Sequence, residues 1–217
     1  MTMRIDFVSD VACPWCAVGL ASLDRALERL GTEVEVDLHF QPFELNPTMG
    51  PEGADAAQYL KAKYGMSDAQ LASARATLRE RGAAVGFEFG QRERVWNTFD
   101  AHRVLHLAGL HDAAHPGATC QPALKRALLT AYHRDGRNPG SHEVLVELAS
   151  EVGLDAEAVC DVLTHGRHAD EVRAAERRWQ EAGIRAVPSL VIDGRHLLQG
   201  AQPPEMFEQA LRQVAAG

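Results

Sequence analysis

The chain has 217 residues, 46 % hydrophobic and 24 % charged, which is the make-up of a globular protein and excludes a disordered one. Its net charge of −8 argues against nucleic acid or an anionic membrane as partner, because both recruit basic surfaces. No run of about 18 apolar residues is present, and the first ten residues lack the apolar core and cleavage site of a secretory signal, so a cytoplasmic protein without a membrane span is expected.

Residues 4–8 read as a short buried strand. A helix follows in which Cys16, Leu20, Leu23, Leu27 and Leu30 recur at steps of four and three and share one face, with Gly31 placed to cap its end. Glu33 to Phe40 alternates as a half-buried strand does. The chain therefore opens β-α-β, and residues 41–54 form a Pro- and Gly-rich loop.

From 55 to 183 the pattern is mostly helical. Ser67 followed by Gln70 has the spacing of a capping box. Apolar stripes run through Ala123, Leu124, Ala127, Leu128 and Ala131, then Val144, Leu145 and Leu148, then Val172, Ala175, Trp179 and Ala182. Gly-containing breaks are expected at 109–117, 136–140 and 166. Val187 to Ile192 reads as a strand, Asp193-Gly194 as a hairpin turn and Arg195 to Gln199 as the returning strand. Pro203 and Pro204 open a last helix carrying Phe207, Leu211 and Val214. The fold class is α/β: a sheet-bearing unit from residues 1–54 and 168–217, with a large helical subdomain inserted over 55–167.

Chemistry concentrates at Cys13-Pro14-Trp15-Cys16, where the first strand turns into the helix. Such a pair is read either as redox-active or as half of a zinc site. Zinc needs about four ligands; no second close pair exists, and His102/His106 and His111/His115 read as ordinary surface or partly buried histidines. No metal is assigned. A free cysteine is only roughly 3 % ionised at pH 7, whereas unpaired N–H groups and the positive dipole end at a helix N-terminus lower its pKa. Trp15 is neutral, so the helix terminus is expected to supply most of the activation. Cys13 is assigned as the exposed attacking thiol and Cys16, on the apolar face, as the resolving one. Cys120 and Cys160 read as isolated residues, Asp10 as a turn or capping residue, and Trp96 and Trp179 as core.

Cys13-Pro14-Trp15-Cys16 after a first strand, the helical insertion and Val187-Pro188-Ser189 before a hairpin together resemble the thioredoxin superfamily, and within it the DsbA-like family, FrnE-like branch. Asn97-Thr98-Phe99-Asp100-Ala101-His102-Arg103 and Gly200-Ala201-Gln202-Pro203 carry the same likeness, which spans nearly the whole chain. The resemblance implies a thioredoxin-like fold, a cis Val187–Pro188 bond packed beside the cysteines, and substrate contacts from Pro14, Trp15, Val187, Pro188, Asn97 and His102. It implies protein or small-thiol disulfide substrates, with no cofactor beyond the redox-active pair and with glutathione as a candidate co-substrate. Related proteins of this architecture are glutathione-dependent isomerases or transferases, which typically carry serine at the first cysteine position; this second reading stays open beside the first.

Overall fold

The protein is described here by a computed structural model covering residues 2–217. Strand β1 (Met3–Ser9) leads into helix α1 (Pro14–Leu30) and strand β2 (Val36–Pro42). A two-residue strand β3 (Ala54–Asp55) precedes α2 (Ala56–Tyr64) and α3 (Asp68–Ala84), and β4 (Arg94–Val95) follows. Five helices come next: α4 (Phe99–Ala114), α5 (Cys120–His133), α6 (His142–Glu151), α7 (Ala156–His165) and α8 (Ala169–Glu181). Strands β5 (Ser189–Ile192) and β6 (His196–Gln199) and helix α9 (Pro204–Ala215) complete the chain.

The main sheet has the order β2-β1-β5-β6; β1 runs parallel to β2 and antiparallel to β5, with Phe7 facing Phe40 on one side and Leu190 on the other. Alternation along these strands serves two cores. Ile5, Phe7, Leu190 and Ile192 pack with Leu20, Leu23 and Leu30 of α1 and Phe207 and Leu211 of α9. Val8 and Val191 point the other way, against Phe43, Ile184 and the partly buried Trp179 of α8. Helices cover both faces, which is why β1 is buried along nearly its whole length. A third core joins α4, α5, α6 and α7 and reaches Val11 and Ala12 just before α1.

Local signals produced their elements. Ser67 Oγ accepts from the Gln70 amide at 3.3 Å and the Gln70 side chain accepts from the Ser67 amide at 2.8 Å, closing the capping box. Asp193 and Gly194 both take positive φ, 49° and 66°, as a tight antiparallel turn of this hand requires. Three expectations are corrected. β2 begins at Val36, because β1 offers partners only from Met3 onward. Gly109 does not break its helix: α4 runs through it to Ala114, and a Cβ there would come within 2.7 Å of the Gln121 side chain, so the glycine admits the close approach of α5. The helical block also holds a small antiparallel pair, Ala54 to Val95 and Asp55 to Arg94, where Gly53 (φ +62°) passes so near the Val95 carbonyl that a Cβ would meet it at 2.3 Å.

Candidate active site

Cys13 is the residue before α1, in extended conformation, and Pro14 takes the first helical position, where its missing N–H removes no hydrogen bond. The chain turns there because the Cys13 amide donates to the Asp10 carbonyl at 3.2 Å and the Cys16 amide to the Cys13 carbonyl at 3.0 Å. Both cysteines are free thiols. Cys16 is wholly buried; Cys13, expected to be exposed, is only 4 % so, because the Val187 loop covers it. Pro14 is half-buried and Trp15 exposed beside it.

The two thiols are driven apart in acidity. Cys13 is held below the ordinary thiol range, first by the Cys16 thiol donating to its sulfur and then by the Cys16 and Trp15 amides; burial and the Asp10 carboxylate oppose this. Cys16 lies well above that range, first through burial and then through the neighbouring Cys13. The amides of the helix terminus thus act together with the Cys16 thiol in holding the Cys13 pKa down. In its thiol form Cys13 makes a long contact to the Val187 carbonyl at 3.7 Å; once ionised it becomes the acceptor for Cys16.

The Val187–Pro188 peptide bond is cis, and the Pro188 ring sits against α1, where a Cβ on Gly19 would come within 2.9 Å of it. Val187 and Pro188 therefore lie beside the dithiol with Pro14 and Trp15. Asn97 and His102 do not join them. Asn97 donates to the Met49 carbonyl at 3.0 Å and accepts from the Phe99 amide at 2.8 Å, so its side chain staples a loop to the start of α4. His102 is buried with its Nε2 3.4 Å from Asp10 Oδ1.

Asp10 is more than a turn residue. Its fully buried carboxylate accepts from the Ala12 amide (3.0 Å), the Thr98 hydroxyl (2.7 Å) and the Leu45 amide (2.7 Å), tying the β1 end to α4 and to the loop after β2. Burial pushes its pKa up, but His102 and the two amides outweigh burial and keep the group a carboxylate.

Two buried groups escaped the sequence reading. Lys125 of α5 is 1 % exposed; burial lowers its pKa, opposed by Cys16, Asp10 and Cys13, and its charge in turn eases ionisation of Cys16. The signal was present, since Lys125 falls four residues after Gln121 and three before Leu128 on the buried face of α5. His133, at the end of the same helix, places Nε2 2.8 Å from the Val11 carbonyl. A carbonyl only accepts, so that nitrogen carries the proton. Burial, then Arg92, pushes its pKa down to about 3, and the ring is neutral.

A half-open cleft of about 1060 Å³ begins at Cys13 and Trp15 and extends beneath α2 and α3, past Tyr59, Tyr64, Arg92 and His133. Elsewhere, His111, Asp112 and Cys120 bring ligand atoms within 4.8 Å of one another. The Asp112 carboxylate there accepts from the Cys120 and Gln121 amides at 2.8 Å each, anchoring the start of α5. Cys160 is exposed on α7. No described helix is long and apolar enough to cross a membrane.

Residues 4–212 match the model of the DSBA-like thioredoxin domain. The chain belongs to that family. Within it, the Streptomyces coelicolor protein SCO1869, a "probable DsbA oxidoreductase", is 38 % identical and superposes with a TM-score of 0.89 over 99 % of this chain and 90 % of its own. The Bacillus subtilis (strain 168) "uncharacterized protein YwbO" is 28 % identical over 97 % of this chain and 96 % of its length. A 2-hydroxychromene-2-carboxylate isomerase shares the fold, with a TM-score of 0.71 at 17 % identity over 98 % of this chain and 96 % of its own. The DSBA-like fold thus serves oxidoreductases and related enzymes, and the residues of the site have to decide between them.

Proposed function

We propose that this DSBA-like protein is a thiol–disulfide oxidoreductase that exchanges disulfides with protein or small-thiol substrates through Cys13 and Cys16. The observation that carries this reading is the placement of the two thiols: Cys13 at the helix terminus and the mouth of the cleft, and Cys16 one helical turn on, buried behind it. Thiol–disulfide exchange needs one thiolate ready to attack and a second thiol held in reserve.

In the reducing direction, the Cys13 thiolate attacks one sulfur of a substrate disulfide. A Cys13–substrate disulfide forms, and the other substrate sulfur leaves as a thiolate that takes a proton from water. Cys16 then loses its proton, helped by the Lys125 charge, and attacks Cys13 Sγ. The Cys13–Cys16 disulfide forms, the second substrate thiol is released, and two electrons have passed to the substrate. The reverse sequence oxidises a dithiol, and a small thiol such as glutathione is a chemically suitable partner for restoring the pair.

The test is the Cys16→Ser variant, which is expected to accumulate mixed disulfides through Cys13, visible by mass spectrometry and released by dithiothreitol. Absence of any adduct, with Cys13 alkylating no faster than a free cysteine, would sink the proposal. An isomerase or transferase reading would instead be favoured by glutathione binding without a covalent bond to a variant lacking both thiols.

A further inference from the structure

The cleft has a charge pattern at odds with the rest of the molecule. Its walls carry Lys63, Arg75, Arg79 and Arg92 against the carboxylates of Asp55 and Glu93, in a chain whose net charge is −8. Asp55 is already committed, accepting from the Gln58 amide at 2.8 Å as the cap of α2. The cations are held without acidic partners. Arg92 donates to the Ala12 carbonyl at 3.1 Å and lies over the Tyr132 ring, one residue from Cys13. Lys63 donates to the Leu45 carbonyl and Asn46 Oδ1 at 2.8 and 2.7 Å. Among the described residues, neither these two nor Arg75 and Arg79 form an ion pair, whereas Lys61, one turn before the end of α2, pairs with Asp68. Cations left unpaired along one cleft produce a focused positive potential.

The walls are also underpacked. α2 buries only Ala56, and α3 only Leu71 and Gly82. Tyr59, Leu60, Tyr64 and Leu78 instead line the cavity with Trp15. At about 1060 Å³ the space lies just above the range of roughly 300–1,000 Å³ that holds drug-sized ligands. It has room for several residues of extended chain, with alternating apolar and anionic needs.

We propose, resting on the disulfide-exchange reading above, that the cleft selects protein clients whose disulfide is flanked by an acidic, aromatic-tolerant segment, with Arg75, Arg79 and Lys63 taking the carboxylates and Arg92 the one nearest the sulfur. The chemistry is that of exchange: Cys13 attacks the client disulfide, one client thiolate leaves, and the flanking carboxylates stay on the cationic wall until Cys16 resolves the bond.

The test uses the reduced full-length protein carrying Cys120→Ser and Cys160→Ser, so that only the active-site pair reports, and matched peptides, each with one cysteine joined to neutral 2-thiopyridine through a disulfide and flanked by glutamate, glutamine or lysine. Attack by Cys13 is followed as thiopyridone release. The glutamate peptide is expected to react about tenfold faster than the glutamine peptide at low ionic strength, and the lysine peptide slower still, with the spread shrinking at high salt. In the Arg75→Gln/Arg79→Gln double variant the glutamate-to-glutamine ratio is expected to fall toward one. Equal rates for all three peptides, or a ratio untouched by the double substitution, overturns the inference while leaving exchange itself intact. If the glutathione–thiopyridine disulfide outpaces the glutamate peptide and is the substrate slowed by the substitutions, the occupant is a small thiol and the segment proposal fails. If the protein lacking Cys120 and Cys160 does not react even with 2,2′-dithiodipyridine, exchange at Cys13 fails and the inference falls with it.

Discussion

Replacing Cys16 by alanine should raise the pKa of Cys13, because the Cys16 thiol is the largest influence holding the Cys13 thiolate down. A hydrogen bond to a charged group contributes about 1.5–3 kcal/mol, and one pKa unit corresponds to about 1.4 kcal/mol. Its loss therefore moves Cys13 upward by about 1–2 units. The Cys16 and Trp15 amides remain in place as the residual support, against unchanged burial and the unchanged Asp10 charge. Cys16→Ser is the control: a hydroxyl in the same position still donates, so its Cys13 should stay near wild type. The assay is alkylation by iodoacetamide as a function of pH, read by mass spectrometry on the Cys13 peptide so that Cys120 and Cys160 do not contribute. A Cys16→Ala midpoint within about 0.3 units of wild type, a fraction of what one such bond is worth, would refute the assignment and return the activation to the helix terminus.

Three other outcomes follow from the surroundings of the pair. Asp10→Asn turns an amide N–H₂ toward the Leu45 amide or toward the Ala12 and Thr98 donors, all of which now meet carboxylate oxygens; it should cost about 1–3 kcal/mol in urea unfolding and lower the Cys13 alkylation midpoint, since the Asp10 charge raises it. His133 has a folded pKa of about 3 against 6.5 for the ordinary group, so the unfolded chain binds the extra proton first. Its share of stability is whole above pH 6.5 and is lost as the pH falls toward 3, with a slope of up to about 1.4 kcal/mol per unit. Between pH 6 and 4.5 that slope should be missing from His133→Phe, measured by denaturant melts at each pH. Gly19→Ala should displace the Pro188 ring, which stands 2.9 Å from the added Cβ. It is expected to cost about 1–3 kcal/mol and to slow Cys13 alkylation changes less than it slows exchange with a peptide disulfide.

Much of the site's scaffold was legible because its causes are local. The stripe from Cys16 to Leu30 is a matter of helical period, and it faces the sheet and α9 as that period requires. The Ser67–Gln70 box and the Asp193–Gly194 turn are made by residues within three positions of each other. Pro14 behind Cys13 marked the strand-to-helix junction for the same reason. Where the reading went astray, the deciding partner was distant. Gly109 looked like a break until Gln121 of the next helix was placed against it, and the partners of Asn97 and His102, Met49 and Asp10, are ones that no local spacing announces.

The sequence alone determined that a cysteine pair would sit one helical turn apart at the start of an amphipathic helix, with one thiol toward the core, because spacing and capping act over a few residues. Tertiary structure alone decided the order β2-β1-β5-β6, which brings Val187 to Cys13 from 174 residues away. It also decided the burial of Asp10 and His133 near the dithiol, and the cationic cleft that opens on it. Thiol acidity depends on the dielectric and the charges within a few ångströms, and folding assembles those from β1, α5 and the loops between them.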